Sequence, residues 1–479
     1  MDQISVAKRV KELFEAVCEI PRPSFHEERI ADFICEFAKK HGREVYRDGA
    51  HNVLVNVKAT VGCEDVQPIL LQGHTDMVCE KNEGVEHDFL ADGIKLCEKD
   101  GWLRADGTTL GADDGVAVAI MLFVIEGGVE RHGDVQCLFT TAEEVGLDGV
   151  KCFDFSRVYC KKMINMDGES EGSVIVGCAG GLRSDISFAP KCVRAADDGL
   201  TIKVSGLCGG HSGENISSGR ANANLILGEL LSALLCEDEL SIVAIGGGSK
   251  DNAIPREAFA TVAVKDAAKA KKTVTALAKE IEKMLSADDE AFSVSCTETE
   301  LCGKDMMDAD TTASIITFIT CAKNGVLEMS KKLSGLVEFS KNLGVIKMTE
   351  DGKVVLTISS RSAVDSQLDM SVRGIDLLAK ACGAATDHHS RYPGWDFSGE
   401  SEMANEFISI FDELYGIKVE KNIIHAGLEC GVIKSALGEL DCISCGPTVL
   451  DLHSPNEALD IASMGRYAYA VYTMLKNAK

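Results

Sequence analysis

The hydrophobic pattern of the first third of the chain switches between helical and strand periodicity. Residues 4–18 carry apolar side chains at helical spacing, and a second helix is predicted to begin at Ser24, with Glu27 forming a capping box and Gly42 ending the helix. Apolar runs predict strands over 52–57, 68–71, 135–139 and 162–165, and a helix over 114–126. Because these runs are nearly continuous, they indicate strands buried on both faces of a mostly parallel sheet. The fold class predicted is α/β with flanking helices.

From about Gly180 the pattern changes to strands that alternate apolar and polar residues, as half-exposed antiparallel strands do. They are predicted over 200–205, 258–264, 292–296 and 354–359, and helix-like segments follow over 221–236, 267–285 and 370–381. The units around 199–236 and 353–381 indicate two strand-helix repeats in an α+β region. Helical patterns return over 402–415 and 456–475.

Composition excludes several classes of partner. The chain has 479 residues, and 49 basic against 75 acidic residues give a formal charge of −26, which repels nucleic acids and anionic membranes. The N-terminal segment lacks the apolar core of a signal peptide, and no apolar run reaches 18 residues, so we expect a cytoplasmic protein. The 19 cysteines, such as Cys18, Cys35, Cys137 and Cys321, are predicted to act as small buried hydrophobes. The Cys-x-x-Cys at 442–445 is interpreted as structural.

Candidate metal ligands follow the ends of the predicted strands or begin a predicted helix. They are His74 and Asp76 after the strand 68–71, Asp113 before the helix 114–126, Glu143 and Glu144 after 135–139, Asp167 after 162–165, and His453 near the C-terminus. Loops at the carboxyl ends of the strands build the sites of open α/β sheets. Together these residues offer imidazoles and carboxylates for two divalent metals, with spare carboxylates for proton transfer. The set predicts a hydrolase.

Each motif alone also has an ordinary structural interpretation. A His-x-Asp pair can satisfy a turn, two acids before a helix can cap it, and adjacent glutamates are usually solvated. The combination of all these motifs in one chain favours the metal site. At such a site a metal lowers the pKa of its bound water, so that a nearby Glu can take a proton from the water.

Eight segments stand in the order found in M20-family metallopeptidases, and the chain resembles the Xaa-His dipeptidase (aminoacylhistidine dipeptidase, carnosinase-like) subfamily. They are Gln-Gly-His-Thr-Asp-Met-Val, Leu-Gly-Ala-Asp-Asp-Gly, Thr-Ala-Glu-Glu-Val-Gly, Asn-Met-Asp-Gly-Glu, Gly-Gly-His-Ser-Gly-Glu-Asn-Ile, Asp-Asn-Ala-Ile-Pro-Arg-Glu, His-Ala-Gly-Leu-Glu-Cys-Gly and His-Ser-Pro-Asn-Glu, and they span residues 72 to 457. The resemblance implies a zinc-peptidase-like fold.

The resemblance also implies roles for the candidate residues. Two Zn²⁺ ions, for which Co²⁺ or Mn²⁺ can substitute, would be bridged by Asp113. One ion would be held by His74 and Asp167 and the other by Glu144 and His453, with Glu143 as general base and Asp76 orienting His74. The family further implies a cis peptide between Asp113 and Asp114.

Three residues of the second region are expected to recognise substrate. By the resemblance, His211 stabilises the oxyanion, Asn252 contacts the peptide backbone, and Arg361 holds a free C-terminal carboxylate in two-pronged fashion. Because His453 has to reach ligands that precede residue 170, we predict one domain made of 1–181 and 394–479, with 182–393 inserted as a lid.

The function predicted is hydrolysis of dipeptides, with Xaa-His or broad specificity, by a monomer or homodimer. A broader di- or tripeptidase and an N-acyl-amino-acid amidohydrolase remain open, since both use the same metals. An inactive metal-binding scaffold is the non-enzyme alternative.

Overall fold

The computed structural model describes residues 1–195, 199–331, 333, 335–396 and 399–479. Within these residues the chain forms two compact units. The first unit contains Met1–Cys178, Phe397–Ile423 and Leu428–Lys479, and the second contains Ala179–Asp396 and Ile424–Gly427. Two segments of the second unit therefore interrupt the first unit along the chain, one long segment and one of four residues around His425.

The first unit holds seven helices and twelve strands among its described residues. The helices are α1 (Gln3–Cys18), α2 (Glu28–Lys40), α3 (Ala112–Ile125), α4 (Asp148–Cys152), α9 (Glu402–Tyr415), α10 (Glu429–Leu437) and α11 (Ile461–Asn477). The strands are β1 (Glu44–Arg47), β2 (Val53–Val57), β3 (Ile69–His74), β4 (Leu96–Lys99), β5 (Trp102–Ala105), β6 (Val135–Thr140), β7 (Lys162–Asn165), β8 (Ser173–Cys178), β22 (Glu420–Ile424), β23 (Asp441–Ser444), β24 (Val449–Leu450) and β25 (Ala458–Asp460). A 3₁₀ turn spans Phe155–Arg157.

The main sheet of this unit has the strand order β1-β2-β6-β3-β7-β23-β8-β22. Its centre, β6-β3-β7-β23, is parallel, and the flanking pairs β1-β2, β2-β6 and β23-β8 are antiparallel. All six residues of β3 and all six of β6 are buried, as expected for strands at the centre of a parallel sheet. The predicted α/β class is confirmed, although β2, which the sequence groups with the parallel strands, pairs in the antiparallel sense.

The helix α3 is apolar on every side because it is almost wholly buried and has no face exposed to solvent. It packs against α1 and β3. Its first turn contains Asp113 and Asp114, and Gly111 precedes it with φ at +70°. The core therefore anchors the helix whose N-terminus presents the candidate bridging carboxylate.

The second unit is built on a nine-stranded sheet with the order β16-β11-β15-β13-β19-β20-β9-β21, to which β18 adds by pairing with β19. Its strands are β9 (Gly180–Phe188), β10 (Cys192–Arg194), β11 (Gly199–Ser205), β12 (Gly210–His211), β13 (Leu240–Gly247), β14 (Ala253–Ile254), β15 (Ala258–Val264), β16 (Ser293–Thr299), β17 (Asp305–Met307), β18 (Gly325–Met329), β19 (Val337–Met348), β20 (Val354–Ser362) and β21 (Ala385–Tyr392). Its helices are α5 (Ala223–Glu237), α6 (Ala267–Glu282), α7 (Ala309–Cys321) and α8 (Asp365–Ala381), and a 3₁₀ turn spans Ala287–Asp289. Among the described residues, the strands of this sheet pair in the antiparallel sense.

Two local predictions are wrong. The capping box fails because α2 begins at Glu28, and the Ser24 hydroxyl and the Glu27 carboxylate bond instead to Asp76 and to the N–H of Ala142. All 19 cysteines are free, but seven of them are exposed, including Cys321, so burial does not account for the whole set. Cys442 and Cys445 are buried.

Among the described residues, no helix combines the length and the apolar character needed to cross a membrane.

Candidate metal centre

The parallel strands of the first unit bring most of the candidate ligands to one edge of the sheet. His74 ends β3 and pairs in register with Thr140, which ends the neighbouring β6. Glu143 and Glu144 follow β6, and Asp167 follows β7 on the other side of β3. Carboxyl ends of parallel strands share an edge, so residues scattered over nearly a hundred positions converge there.

Asp113 lies at the centre of the cluster, with an imidazole on each of its carboxylate oxygens. Its Oδ1 is 2.9 Å from His74 Nε2, and its Oδ2 is 3.1 Å from His453 Nε2. Asp167 Oδ1 is 3.7 Å from His74 Nε2, whereas Glu144 Oε2 is 3.2 Å from His453 Nε2. One carboxylate therefore separates two imidazole–carboxylate pairs.

This donor set fits divalent cations. His74, Asp113 and Glu144 place ligand atoms within 4.8 Å of one another, and so do His74, Asp114 and Asp167. Glu144 Oε1 is buried and has no hydrogen-bond partner among the described residues. Nitrogen and oxygen ligands in such proximity suit zinc, cobalt or manganese, and a carboxylate presenting both oxygens can hold two metals ~3.5–4 Å apart.

The cluster brings several carboxylates together in a largely buried place, and this shifts their pKa values. Burial raises the pKa of Asp167 well above its usual value, and the nearby charge of Asp113 raises it further. Burial also raises the pKa of Glu144, against the hydrogen bond from His453. The hydrogen bonds to Asp113 and Glu144 raise the pKa of His453 to about 11. Bound cations would relieve this repulsion among carboxylates.

Asp76 connects His74 with the segment that carries the two glutamates. Its carboxylate lies 3.4 Å from His74 Nδ1, and its main-chain oxygen is 3.1 Å from the same nitrogen. The backbone N–H groups of Glu143 and Glu144 donate to the two oxygens of this carboxylate at 3.1 and 3.3 Å. Asp76 thus fixes the loop after β6 as well as the ring of His74.

Glu143 differs from Glu144 in its surroundings. Burial raises the pKa of Glu143 well above its ordinary value, and its carboxylate has no hydrogen-bond partner within the described part of the chain. A carboxylate of this kind can accept and return a proton. The peptide bond between Asp113 and Asp114 is cis, as the resemblance predicts.

Two supporting residues escaped the sequence analysis because their partners are distant in the chain. The Arg22 side chain is only 1% exposed and donates to the main-chain oxygens of Thr75, Asp76 and Gly111. The Glu457 carboxylate accepts the backbone N–H groups of Leu110, Gly111 and Ala112 at 2.8, 3.0 and 2.8 Å. The only sequence signal was the position of Glu457 in the His-Ser-Pro-Asn-Glu segment.

A third such residue is Glu429, the fully buried first residue of α10. Its carboxylate accepts hydrogen bonds from Gln72 and, at 2.7 Å, from the Thr140 hydroxyl, so it joins the ends of β3 and β6. Burial raises the pKa of Glu429 to about 7.

Asp114 is the other carboxylate that the sequence analysis left unassigned. It accepts the N–H of His74 at 3.2 Å, and burial raises its pKa well above the ordinary value.

The three predicted substrate residues all lie in the second unit. His211 pairs with Ala253 across β12 and β14, and the N–H of Ser212 donates to the main-chain oxygen of Asn252 at 2.8 Å. Arg361 is 8% exposed and donates to the Tyr392 hydroxyl at 3.1 Å, and its Nε has no partner among the described residues.

His425 is a further member of this group that the sequence analysis quoted but did not assign. Its Nε2 is 2.7 Å from the hydroxyl of Ser340, which lies opposite Arg361 in the register of β19 and β20. Burial, together with the charges of Arg361 and His211, lowers the pKa of His425 to about 3. His211, Arg361 and His425 therefore form one cluster in the second unit.

The chain is similar to known peptidases in sequence and in fold. A sequence model of peptidase family M20/M25/M40 matches residues 70–477. The cytosol non-specific dipeptidase of Escherichia coli K12 is 37% identical over 468 residues, which cover 97% of this chain and 96% of that protein. The crystal structure of an aminoacylhistidine dipeptidase from Vibrio alginolyticus matches with a TM-score of 0.86 and 34% identity, over 98% of this chain and 96% of that chain. A Staphylococcus aureus tripeptidase shares the fold, with a TM-score of 0.57 and 18% identity over 98% of each chain.

Proposed function

The chain belongs to peptidase family M20/M25/M40, as its motifs indicated, and on that premise we propose that it is a cytosolic metal-dependent dipeptidase. Two relatives that match nearly its whole length carry the names cytosol non-specific dipeptidase and aminoacylhistidine dipeptidase. The substrates proposed are accordingly dipeptides of broad composition, Xaa-His among them.

The observation that carries the proposal is the position of Asp113 between two imidazole–carboxylate pairs. His74 and Asp167 would hold one Zn²⁺ ion and Glu144 and His453 the other, and Asp113 would contribute its carboxylate to the centre. Cations bound there would polarise the amide carbonyl and lower the pKa of the attacking water.

Glu143 takes the proton from the water that attacks the carbonyl carbon. When the C–N bond breaks, the same carboxyl group delivers that proton to the leaving amine, and its original charge is restored. Among the described residues no competing hydrogen bond engages the Glu143 carboxylate, which suits both steps. Asp76 holds the backbone of Glu143 in place throughout.

Residues of the second unit would recognise the ends of the substrate. The guanidinium of Arg361 is proposed to bind the C-terminal carboxylate, which restricts hydrolysis to short peptides with a free C-terminus. His211 would donate to the oxyanion and Asn252 to the peptide backbone. The neutral state of His425 lets it sit beside Arg361 without adding a second positive charge.

The test is a substrate panel on the metal-loaded protein: Ala-His, Ala-Leu, Gly-Gly-Gly and N-acetyl-histidine. Dipeptides are expected to be hydrolysed with the highest kcat/KM. Preference for the tripeptide would indicate a tripeptidase, and preference for N-acetyl-histidine would overturn the proposal in favour of an amidohydrolase.

The proposed base is tested separately with Glu143→Ala. The substitution should lower kcat by about 10²–10⁴-fold, since that is the usual contribution of general acid–base catalysis, while the metal content stays near two per chain. Glu83→Ala, at an exposed position, is the control. Full activity of the Glu143 variant would exclude this residue as the base.

A further inference from the structure

A cavity lies in the second unit, between the sheet and two of its helices. It has a volume of about 250 Å³. Phe339, Lys341 and Ile358 of β19 and β20 form its floor, whereas Phe318 of α7 and Ile375 of α8 lie on the helix side. Ligand sites for drug-sized molecules occupy roughly 300–1,000 Å³, so this cavity suits a smaller compound.

Lys341 places a positively charged ammonium group at a cavity whose walls are mostly apolar. The residue is 6% exposed, and its ammonium group has no hydrogen bond or ion pair with any described residue. Its ammonium nitrogen lies 5.8 Å from the centroid of the Phe339 ring. Because the side chain is largely buried and no carboxylate faces it from the cavity lining, its positive charge has little compensation among the described residues.

The surroundings of the amine explain why it lacks a partner. On β19, Lys341 stands opposite Gly325 of β18 and Ser360 of β20. The Ser360 hydroxyl is engaged by the Ser371 hydroxyl at 2.8 Å, and Gly325 has no side chain. Burial, together with the charge of Lys323, which also lines the cavity, lowers the pKa of Lys341 to about 8.

No described residue lining the cavity carries a carboxylate, whereas two carry an ammonium group. An anionic headgroup would therefore find a cation at Lys341 and apolar walls for its tail. The α-ammonium of an amino acid would find no acidic partner there, which disfavours free amino acids and the N-termini of peptides.

We propose that this cavity binds a small monocarboxylate with an apolar tail, its carboxylate paired with Lys341 and its tail among Phe318, Phe339, Ile358 and Ile375. Medium-chain alkanoates and arylalkanoates have this chemistry. The site goes beyond the peptidase reaction proposed above and uses none of the residues assigned to it.

Isothermal titration calorimetry on the full-length, metal-loaded protein tests the site with octanoate and 3-phenylpropanoate. We expect at least one of the two carboxylates to bind more tightly, by about tenfold or more, than its match. The matches are octan-1-ol, the neutral analogue of octanoate, and phenylalanine, the zwitterionic analogue of 3-phenylpropanoate. Each match loses or weakens the charge-assisted hydrogen bond to the lysine. Absence of binding by both carboxylates, or equal affinity for the matches, would overturn the proposal.

Substitutions then separate this cavity from the metal centre, where carboxylates can also bind. Lys341→Met keeps an apolar stem of similar length and should abolish the carboxylate preference, whereas Lys347→Met, at an exposed position of the same strand, should leave it unchanged. Persistent binding in the Lys341 variant would assign the ligand elsewhere and refute the site.

A second variant retains the lysine, in case the first disturbs folding. Gly374 lines the cavity, and a Cβ atom built there meets nothing within 4 Å. Gly374→Leu should fill the space and weaken binding about tenfold or more, whereas Gly374→Ala should have little effect. Hydrolysis of Ala-His should be unchanged in all four variants, and unaltered octanoate affinity in Gly374→Leu would contradict the proposed position.

Discussion

The carboxylate of Glu457 accepts the backbone N–H of Ala112 at 2.8 Å. The same carboxylate accepts the N–H groups of Leu110 and Gly111, and Glu457 is four residues after His453. One side chain therefore ties the segment that carries a candidate ligand to the segment that carries Asp113.

Glu457→Gln should weaken metal binding without removing a ligand. An amide offers one acceptor oxygen where the carboxylate uses two, so at least one of the three N–H groups loses its partner. We expect zinc affinity to fall about 10–100-fold, the usual effect of losing a group that orients ligands, as measured by chelator competition. The control is Glu439→Gln at an exposed position. Unchanged affinity would show that the loop is ordered without Glu457.

Ser24→Ala tests the hydrogen bond from the Ser24 hydroxyl to Asp76, which is 2.8 Å long. Loss of a bond to a charged group costs about 1.5–3 kcal/mol, and because Asp76 positions the Glu143 backbone, part of this loss should appear in catalysis. We expect kcat to fall about tenfold, which corresponds to about 1.4 kcal/mol, with normal metal content. Ser156→Ala removes a comparable Ser–Asp bond of 2.6 Å on the surface and should have no such effect. An equal kcat in both variants would deny Ser24 this role.

Arg361→Lys should impair substrates that have a free C-terminus. Lysine cannot form the two-pronged bond to a carboxylate, so kcat/KM for Ala-His should fall about 100-fold, or roughly 2.7 kcal/mol. The C-terminal amide of Ala-His should be a poor substrate for both proteins, with little difference between them. Arg373→Lys, on the exposed face of α8, serves as the control. A similar loss on the amide would show that Arg361 does not read the carboxylate.

His425 should make stability fall as the medium becomes acidic. The pKa of His425 is lowered to about 3 in the folded protein, whereas the unfolded chain has the ordinary value near 6.5. Between these values only the unfolded chain binds the proton, so the stabilisation is complete above pH 6.5 and is lost progressively as pH falls towards 3. From pH 7 to 5 the loss from this residue amounts to about 2 kcal/mol.

His425→Asn removes this titration. Denaturant unfolding of both proteins at pH 7, 6 and 5 should therefore show a shallower loss of unfolding free energy in the variant. His26→Asn, at an exposed position, serves as the matched control. Parallel pH profiles for wild type and His425→Asn would contradict the burial of a neutral imidazole.

Metal removal should abolish hydrolysis reversibly. Dialysis against a chelator leaves the carboxylates around Asp113 without a counter-charge, and titration with Zn²⁺ should restore activity with an end point near two equivalents per chain. Unfolding temperature should rise over the same titration, because cations that bind only the folded state stabilise it. Full recovery at one equivalent would indicate a mononuclear centre.

The sequence predicted the sheet edge well because the relevant signals are local. β7 was predicted with the correct bounds, Lys162–Asn165, since an apolar run this short between polar segments is too brief for a helix. The convergence of His74 and Asp167 followed from parallel pairing alone. The roles of the individual ligands came from the resemblance to a family and not from periodicity.

Tertiary contacts explain what the sequence analysis missed. Ser24 and Glu27 have the spacing of a capping box, but Asp76 and Ala142 are their partners in the folded chain. The helix α7 was not predicted because its β-branched residues, such as Ile315 and Ile316, favour strands when considered locally. Glu457 contacts residues about 350 positions away, which no local pattern can reveal.

The position of Asp113 has a consequence for any attempt to alter the metals. Each of its two oxygens faces one half of the centre, so charge drawn towards one cation is withdrawn from the other. A substitution at His453 that weakens one cation would thus change the affinity of the other through this shared carboxylate. On the ligand assignment proposed above, the two positions would behave as a coupled pair, and metal preference would have to be engineered for both at once.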